Sequence, residues 1–367
     1  MFIGIDASHA NKVQRTGVEE YCWQVIQEFK KIIPGDVRVV LYSNNKLLPE
    51  LDVLPANWEV KVLEWPLRKM WSQIRLAFEL WKNPPDVYFS PGQLLPLFAP
   101  KNSVVMVHDS AFEAYPSAYR FLGRQYLKWM NRLIVKKAKL ILTSTEFNKG
   151  ELLNYYKGLD ANKIKITPLA YNDKKFNLDG IKGENIFGRY ILSIGRLEEK
   201  KNTKMMIEVF GLLKLKFSDL KLVLIGNPGF GYAIIKKAIT ESKYSQDIIE
   251  YNKYKKNKKI CPDMITVLKN GQVFIFPSIY EGFGIPPLEA MAVGVPVIVS
   301  NISALREVDG EAADYVDPNN PQLIVTKIEK LLVDENYRKE KINLGLEQVK
   351  KYSWEKTARL TWEEIKK

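Results

Sequence analysis

The chain has 367 residues, 46% of them apolar, and a formal net charge of +13. That length corresponds to about two domains with cores of their own, which excludes a disordered or fibrous chain. No apolar run reaches the ~18 residues of a membrane-spanning helix, and two histidines with two distant cysteines leave little for a zinc cluster or a disulfide framework.

Cys22 and Cys261 are expected as free thiols in a reducing compartment. The opening MFIGIDAS reads as strand and turn, not as a secretory leader. A basic balance of this size fits nucleic acid, an anionic membrane surface or phosphorylated substrates, or a lysine-rich surface kept for solubility. The excess is local: residues 66–139 hold 12 Lys and Arg against 4 Asp and Glu.

Phe2–Asp6 reads as the first strand, followed by the loop DASHANKVQRTGVEEY and an amphipathic helix, Val18–Ile33. Strand, loop with Gly17 and helix start describe a phosphate-facing turn, although a plain strand-to-helix turn has the same pattern. Val37–Ser43 and Glu59–Leu63 are further strands. Leu67–Lys82 is predicted as a two-faced helix. Met70, Ile74, Ala77, Phe78 and Trp81 form its apolar face, and Arg68, Lys69, Arg75 and Lys82 ride with Trp71. Asp86–Phe89 and Val104–Val107 are short strands, the second ending at His108-Asp109. Tyr119–Lys137 is a long basic helix. Leu140–Thr143, a helix over Glu146–Tyr156 and Lys163–Thr167 complete an alternating α/β pattern, hence a mostly parallel sheet. The two basic helices are expected to dock the N-terminal half on an anionic surface.

Tyr171–Gly188 is polar and rich in Gly, Asp and Asn and reads as an interdomain linker. Tyr190–Ile194 restarts the strand pattern and ends in Gly195-Arg196. Arg196 and Lys201 would stand near a helix start, where a cation is mildly disfavoured by the dipole; their presence points to a bound anion, and fork plus point charge suit a diphosphate. Leu220–Ile225 and the loop GNPGFG follow. Residues 241–259 are rich in Lys, Tyr and Asn and resist assignment. Cys261–Leu268 resumes a helical pattern. Helices over Pro318–Lys330, Tyr337–Lys350 and Trp354–Ile365 end the chain.

The stretch VFIFPSIYEGFGIPPLEAMAVGVPVIV, residues 273–299, organises the rest. Two buried parallel strands flank a Gly-rich turn, a Pro pair and the helix-forming LEAMA. Glu281 leaves the first strand and Glu289 sits in the first helical turn. Gly282, Phe283 and Gly284 bring backbone amides close to a ligand, and the helix start at Ile285 can hold an anion. One carboxylate facing sugar hydroxyls, amides facing phosphate and a second carboxylate facing another diol make a nucleotide-sugar site.

EGFGIPPLE, preceded by FPS and followed by AMAVGVPV, resembles the Glu-x7-Glu signature of retaining family 4 glycosyltransferases, the glycosyl transferases group 1. GRLEEKKN resembles that family's Gly-Arg-x4-Lys-Asn segment, GNPGFG its loop near the nucleotide, RTGVEEY the loop opposite the diphosphate, and VHDSAFEAYP the His-Asp segment of its mannosyltransferases. The resemblance implies a GT-B fold, that is, two Rossmann-like, doubly wound parallel-sheet domains facing a cleft. The expected organisation is an acceptor-binding domain at 1–172, a linker at 173–188, a donor domain at 189–352 and a helix at 353–367 that packs back on the first domain.

By resemblance, the catalytic set is His108, Arg196, Lys201 and Glu281, and the donor-binding set is Gly17, Asn227, Gly282, Phe283, Gly284, Ile285 and Glu289. Glu289 would bind the ribose diol, while Glu281 would hold the donor sugar without acting as a nucleophile. The implied reaction is retaining, metal-independent hexosyl transfer from a GDP- or UDP-sugar, mannose leading, to a glycan or lipid-linked acceptor. It needs no cofactor and no nucleic acid, and it places the protein in the cytoplasm or at the inner face of the membrane. No Asp-x-Asp triplet, Gly-Lys dipeptide or Gly-x-Gly-x-x-Gly after the first strand is present. The alternatives are a GT-B epimerase or sugar phosphorylase, and a non-catalytic basic module binding RNA or membrane.

Overall fold

In the computed structural model, residues 1–67, 70–177, 183–257 and 263–367 are described. They divide into two compact units. One comprises Met1–Glu113, Arg120–Leu169 and Trp354–Lys367; the other comprises Ala114–Tyr119 and Ala170–Ser353.

The first unit is built on a seven-stranded, all-parallel sheet: β1 (Phe2–Asp6), β2 (Arg38–Ser43), β3 (Trp58–Val62), β4 (Val87–Ser90), β5 (Ser103–Met106), β6 (Leu140–Thr143) and β7 (Ile164–Ile166). Their order is β3-β2-β1-β4-β5-β6-β7. The strands are short and apolar on both faces because helices cover both sides. α1 (Gly17–Ile32) buries Tyr21, Val25, Ile26 and Phe29. Residue 19 closes its first turn, where the Glu19 carboxylate accepts the Thr16 amide at 3.1 Å.

Where Leu67–Lys82 was expected as one regular helix, Ser72–Leu76 is π-helical and α2 covers only Ala77–Lys82. Arg68 and Lys69 lie outside the described residues. Met70 takes a left-handed backbone, φ 65°. Of the predicted apolar face only Ala77 turns inward. Trp71, Leu76, Ala77 and Leu80 enter the core, whereas Met70, Ile74, Phe78 and Trp81 are exposed. Trp71 does not ride with the cations; its indole Nε1 donates to the Leu63 carbonyl at 2.7 Å. Both stripes are apolar, so periodicity finds the helix but cannot tell its inward side, and the π turn shifts the phase.

α3 (Phe121–Lys137) buries only Met130, Asn131 and Ile134. The last helix, α5 (Trp354–Ile365), belongs to the first unit and packs along α1: Trp354 meets Tyr21 at 6.1 Å and Trp362 meets Phe29 at 6.5 Å between ring centroids. The Thr357 hydroxyl donates to the Pro168 carbonyl at 2.6 Å.

The second unit carries a six-stranded parallel sheet: β8 (Tyr190–Ile194), β9 (Lys221–Ile225), β10 (Ile248–Glu250), β11 (Phe274–Phe276), β12 (Val297–Ser300) and β13 (Asp314–Val316), in the order β10-β9-β8-β11-β12-β13. Sequence reading left residues 241–259 unassigned. They contain the edge strand β10, too short to show a period, and a helix over Tyr251–Asn257. Cys261 lies outside the described residues; the helix expected from it runs Met264–Lys269, capped by Asp263, which accepts the Ile265 and Thr266 amides. Cys22 is buried and free. Among the described residues no helix is long and apolar enough to cross a membrane.

Each sheet reverses its strand order once, between β1 and β4 in the first and between β8 and β11 in the second. Ligands of open α/β sheets bind at the carboxyl ends of the strands flanking such a reversal.

Candidate active site

The second reversal gathers most of the predicted residues. β8 ends at Gly195-Arg196 and β9 at Gly226-Asn227. The two ends touch: a Cβ on Gly226 would lie 1.7 Å from the Gly195 carbonyl oxygen, so only glycine fits there. Beyond them the loops zip together, Leu197 N to Asn227 O and Gly229 N to Leu197 O, each at 2.9 Å. Asn227 is exposed and its Oδ1 accepts from Asn252 at 2.9 Å.

This pairing sets a 3-10 turn, Glu199–Lys201, that aims Lys201 back toward β11. The Lys201 ammonium forms a short hydrogen-bonded ion pair with Glu281 and lies 4.9 Å from the centre of the Phe276 ring. The pair is largely buried, at 18% and 10% side-chain exposure. Arg196, by contrast, is exposed and makes no ion pair with the described residues. Asn202, a site residue the sequence reading passed over, closes the turn. Its backbone is left-handed, φ 54°, a conformation asparagine tolerates, and its side chain donates to the Pro318 carbonyl at 2.8 Å. Its position directly after Lys201 in GRLEEKKN was the available signal.

After β11 the chain enters Glu281–Gly284, all buried. Gly284 caps α4 (Ile285–Ala292) with φ 95°, and a Cβ there would also meet Leu305 at 2.5 Å. Pro286 and Pro287 lack an N–H, so the first turn of α4 offers only the Ile285 and Leu288 amides. No acidic side chain lies in that turn: Glu289, expected there, is the fifth residue of α4 and falls in the next one. Phe283 packs edge-on against Tyr352, ring centroids 5.6 Å apart, and can offer a ligand only its backbone. Glu289 is half-buried on the same helix. The Ser278 hydroxyl is buried and has no hydrogen-bond partner among the described residues.

His108 and Gly17 belong to the first unit. His108 follows β5; its ring Nε2 stands 2.8 Å from the Pro91 carbonyl, which can only accept, so Nε2 carries the proton. Its backbone N donates to the Gln93 side chain at 2.9 Å, and its ring meets Tyr21 edge-on at 5.0 Å. Burial lowers its pKa to about 4, so the imidazole is neutral at physiological pH. Gln93, which sequence reading missed, also holds the Asp109 carbonyl and Asn131. Gly17 opens α1, and a Cβ there would meet nothing within 4 Å; packing does not require glycine at that position. The negative charge nearest this helix start is the protein's own Glu19.

Among the described residues no group of three His, Cys, Asp or Glu is arranged to hold a metal ion.

Residues 178–347 match the family Glycosyl transferases group 1. The chain is 28% identical over 321 residues to O-antigen chain mannosyltransferase B of Escherichia coli, covering 85% of this chain and 81% of that protein. WaaG, a glycosyltransferase involved in lipopolysaccharide biosynthesis, superposes with a TM-score of 0.73 at 12% identity, covering 100% of this chain and 99% of that one. HepE of Anabaena, solved in complex with UDP-glucose, gives the same TM-score, identity and coverage. At such identities the two structures establish a shared GT-B fold, two Rossmann-like parallel-sheet domains, and no more.

Proposed function

We propose, from the match of residues 178–347 to the family Glycosyl transferases group 1, that the chain is a glycosyltransferase that moves a hexosyl group, mannose first among candidates, from a nucleoside-diphosphate sugar to a growing glycan or lipid-linked acceptor with retention of configuration. The observation that carries this reading is the Lys201–Glu281 pair at the reversal between β8 and β11, beside the uncapped start of α4.

The donor diphosphate lies against Arg196, Lys201 and the amides of Gly282–Ile285. Charge grows on that diphosphate as the bond from the anomeric carbon to its oxygen breaks, and fixed cations in a partly dry site stabilise it most at that moment. Glu281 holds the Lys201 ammonium in place before the donor arrives and receives a hydroxyl of the donor sugar once it is bound. Glu289 accepts from the ribose diol, and Asn227 lines the nucleotide end. The acceptor oxygen bonds to the same face of the anomeric carbon, and its proton passes to the leaving phosphate oxygen. Glu281 forms no covalent bond. His108 is a neutral ring: Nε2–H is held by Pro91, and Nδ1 remains as an acceptor. With Arg196 and Lys201 in place the reading requires no metal. The mannose assignment is supported by the resemblance to O-antigen chain mannosyltransferase B, and a nucleotide-linked donor by the UDP-glucose bound to HepE.

The test is turnover of a panel of GDP- and UDP-linked sugars, with and without a lipid-linked oligosaccharide and with and without EDTA. Release of nucleoside diphosphate from one donor, unaffected by chelator and with the product's anomeric configuration retained, is the expected result. Inversion, or dependence on added Mg2+ or Mn2+, overturns the mechanism; no turnover of any donor overturns the reading.

A further inference from the structure

We propose that the first unit docks on a bilayer containing anionic lipid through an exposed apolar stripe formed by α2, the turn before it and the start of α3. This goes beyond the donor chemistry and does not depend on it.

The stripe on α2 and the turn before it is the apolar face expected of Leu67–Lys82, without Ala77. Met70, Ile74, Phe78 and Trp81 recur at helical spacing and are 47%, 47%, 52% and 66% exposed, with Leu67 alongside at 62%. Phe78 and Trp81 lie against each other, ring centroids 5.9 Å apart and planes tilted by 43°, instead of entering the core. A second stripe continues it on α3. Phe121 and Leu122 are 71% and 80% exposed, and Tyr126 and Trp129 pair at 5.8 Å on the outer side. The two lie side by side, because Gln73 hydrogen-bonds the Leu95 carbonyl and is in contact with the Tyr126 hydroxyl, while the Leu95 amide bonds Met130 of α3. A soluble surface scatters its exposed apolar residues singly; a contiguous patch of aromatic and aliphatic side chains marks a contact surface.

Charge selects the occupant. From residue 65 to residue 85 the only carboxylate is Glu79; it is buried and paired with Lys61 at 2.5 Å and Arg75 at 3.7 Å. Glu113, the carboxylate nearest α3, is paired with Lys128 at 2.9 Å. Residues 120–139 hold seven cations and no acid. Arg120, Arg132 and Lys136 are exposed and make no ion pair with the described residues, and Arg132 and Lys136 extend the Tyr126–Trp129 face by helical spacing. An apolar centre rich in Trp, Phe and Tyr, bordered by unpaired cations and with no exposed carboxylate within residues 65–85 or 120–139, matches a headgroup boundary with anionic lipid. Rings settle at the carbonyl level and long cationic side chains reach the phosphates.

The experiment is flotation of the full chain with phosphatidylcholine vesicles, alone and mixed with phosphatidylglycerol. Three variants are compared: Phe78→Ser/Trp81→Ser, Phe121→Ser/Leu122→Ser and Arg132→Glu/Lys136→Glu. All six residues are exposed, and unchanged thermal melting confirms folding. Binding is expected only with phosphatidylglycerol, and each double variant should lower the partition coefficient by roughly tenfold or more while turnover of a soluble donor is unchanged. Absence of binding overturns the proposal. So does binding that falls with salt yet ignores both apolar variants, since that is surface adsorption without insertion. A wild-type dimer in gel filtration that Phe78→Ser/Trp81→Ser converts to monomer also overturns it, assigning the stripe to a second copy.

Discussion

The two sheet reversals share a topology and differ in what their loops leave open. Between β1 and β4 the chain satisfies itself. His9 fills the space a Cβ on Gly92 would need, His108 gives its ring proton to Pro91 and its amide to Gln93, and Glu19 closes the start of α1. Between β8 and β11 the loops keep an exposed guanidinium, a lysine held by one carboxylate, and a helix start with neither cap nor acid. The carboxyl end of a parallel sheet is thus an opportunity for binding; whether it becomes an anion site depends on whether the loops have already supplied the anion. Variants at the second reversal should therefore act on turnover, and variants at the first on stability.

The largest effect is expected from Lys201→Ala. Removing a fixed charge from developing transition-state charge should lower kcat by about 10²–10³, with a smaller change in the donor KM. A rise in KM with full kcat would leave Lys201 a ground-state contact and erase the contrast.

His108 tests the other side. Unfolded, it takes a proton near its ordinary pKa of 6.5, whereas the folded ring resists to about 4. Between those values the unfolded state binds more protons, so stability falls as the pH drops from 6.5 to 4, by roughly 3 kcal/mol from this group. Denaturant melts at successive pH values should show that slope, and His108→Gln should flatten it.

Gly284→Ala adds a Cβ at positive φ against Leu305 and should cost about 2 kcal/mol of stability, measurable as a lowered melting midpoint, with donor affinity lost as the amides shift. Glu289→Ala removes a charged acceptor and should raise the donor KM by about tenfold; an unchanged KM would contradict the ribose role. Gly17→Ala gives the smallest effect and the opposite sign. Its helical backbone and open surroundings accept a methyl group, so stability should rise by about 0.5 kcal/mol. Intact folding with donor binding abolished would show that a ligand approaches α1 as closely as it approaches α4, and the two reversals would then be alike.

What could be seen in the sequence follows from how local each signal is. The β11–α4 unit was legible because glycine and proline punctuate it within a few residues, and because Glu281, Gly284 and Glu289 are held by one continuous turn. The Lys201–Glu281 pair was not, since the partners are 80 positions apart and meet only through the order of β8 and β11. His108 was noticed, but its partner Gln93 arises from a left-handed backbone at φ 55° that no composition rule signals. Around Trp71 the reading failed for a different reason. With apolar residues on both sides of a helix, the hydrophobic pattern gives its existence without its orientation, and a single π turn moves every later side chain around the axis.

The return of α5 to α1 has a consequence for the order in which the protein is made. The first unit holds residues 1–113 and 120–169 yet lacks Trp354, Thr357 and Trp362 until the last helix has been synthesised. On the ribosome the usual sequence, N-terminal domain first, is therefore interrupted. The early strands wait with Tyr21 and Phe29 uncovered while the whole of 170–353 emerges and folds behind them. The domain begun first is finished last, and during synthesis it is the part of the chain most in need of a chaperone.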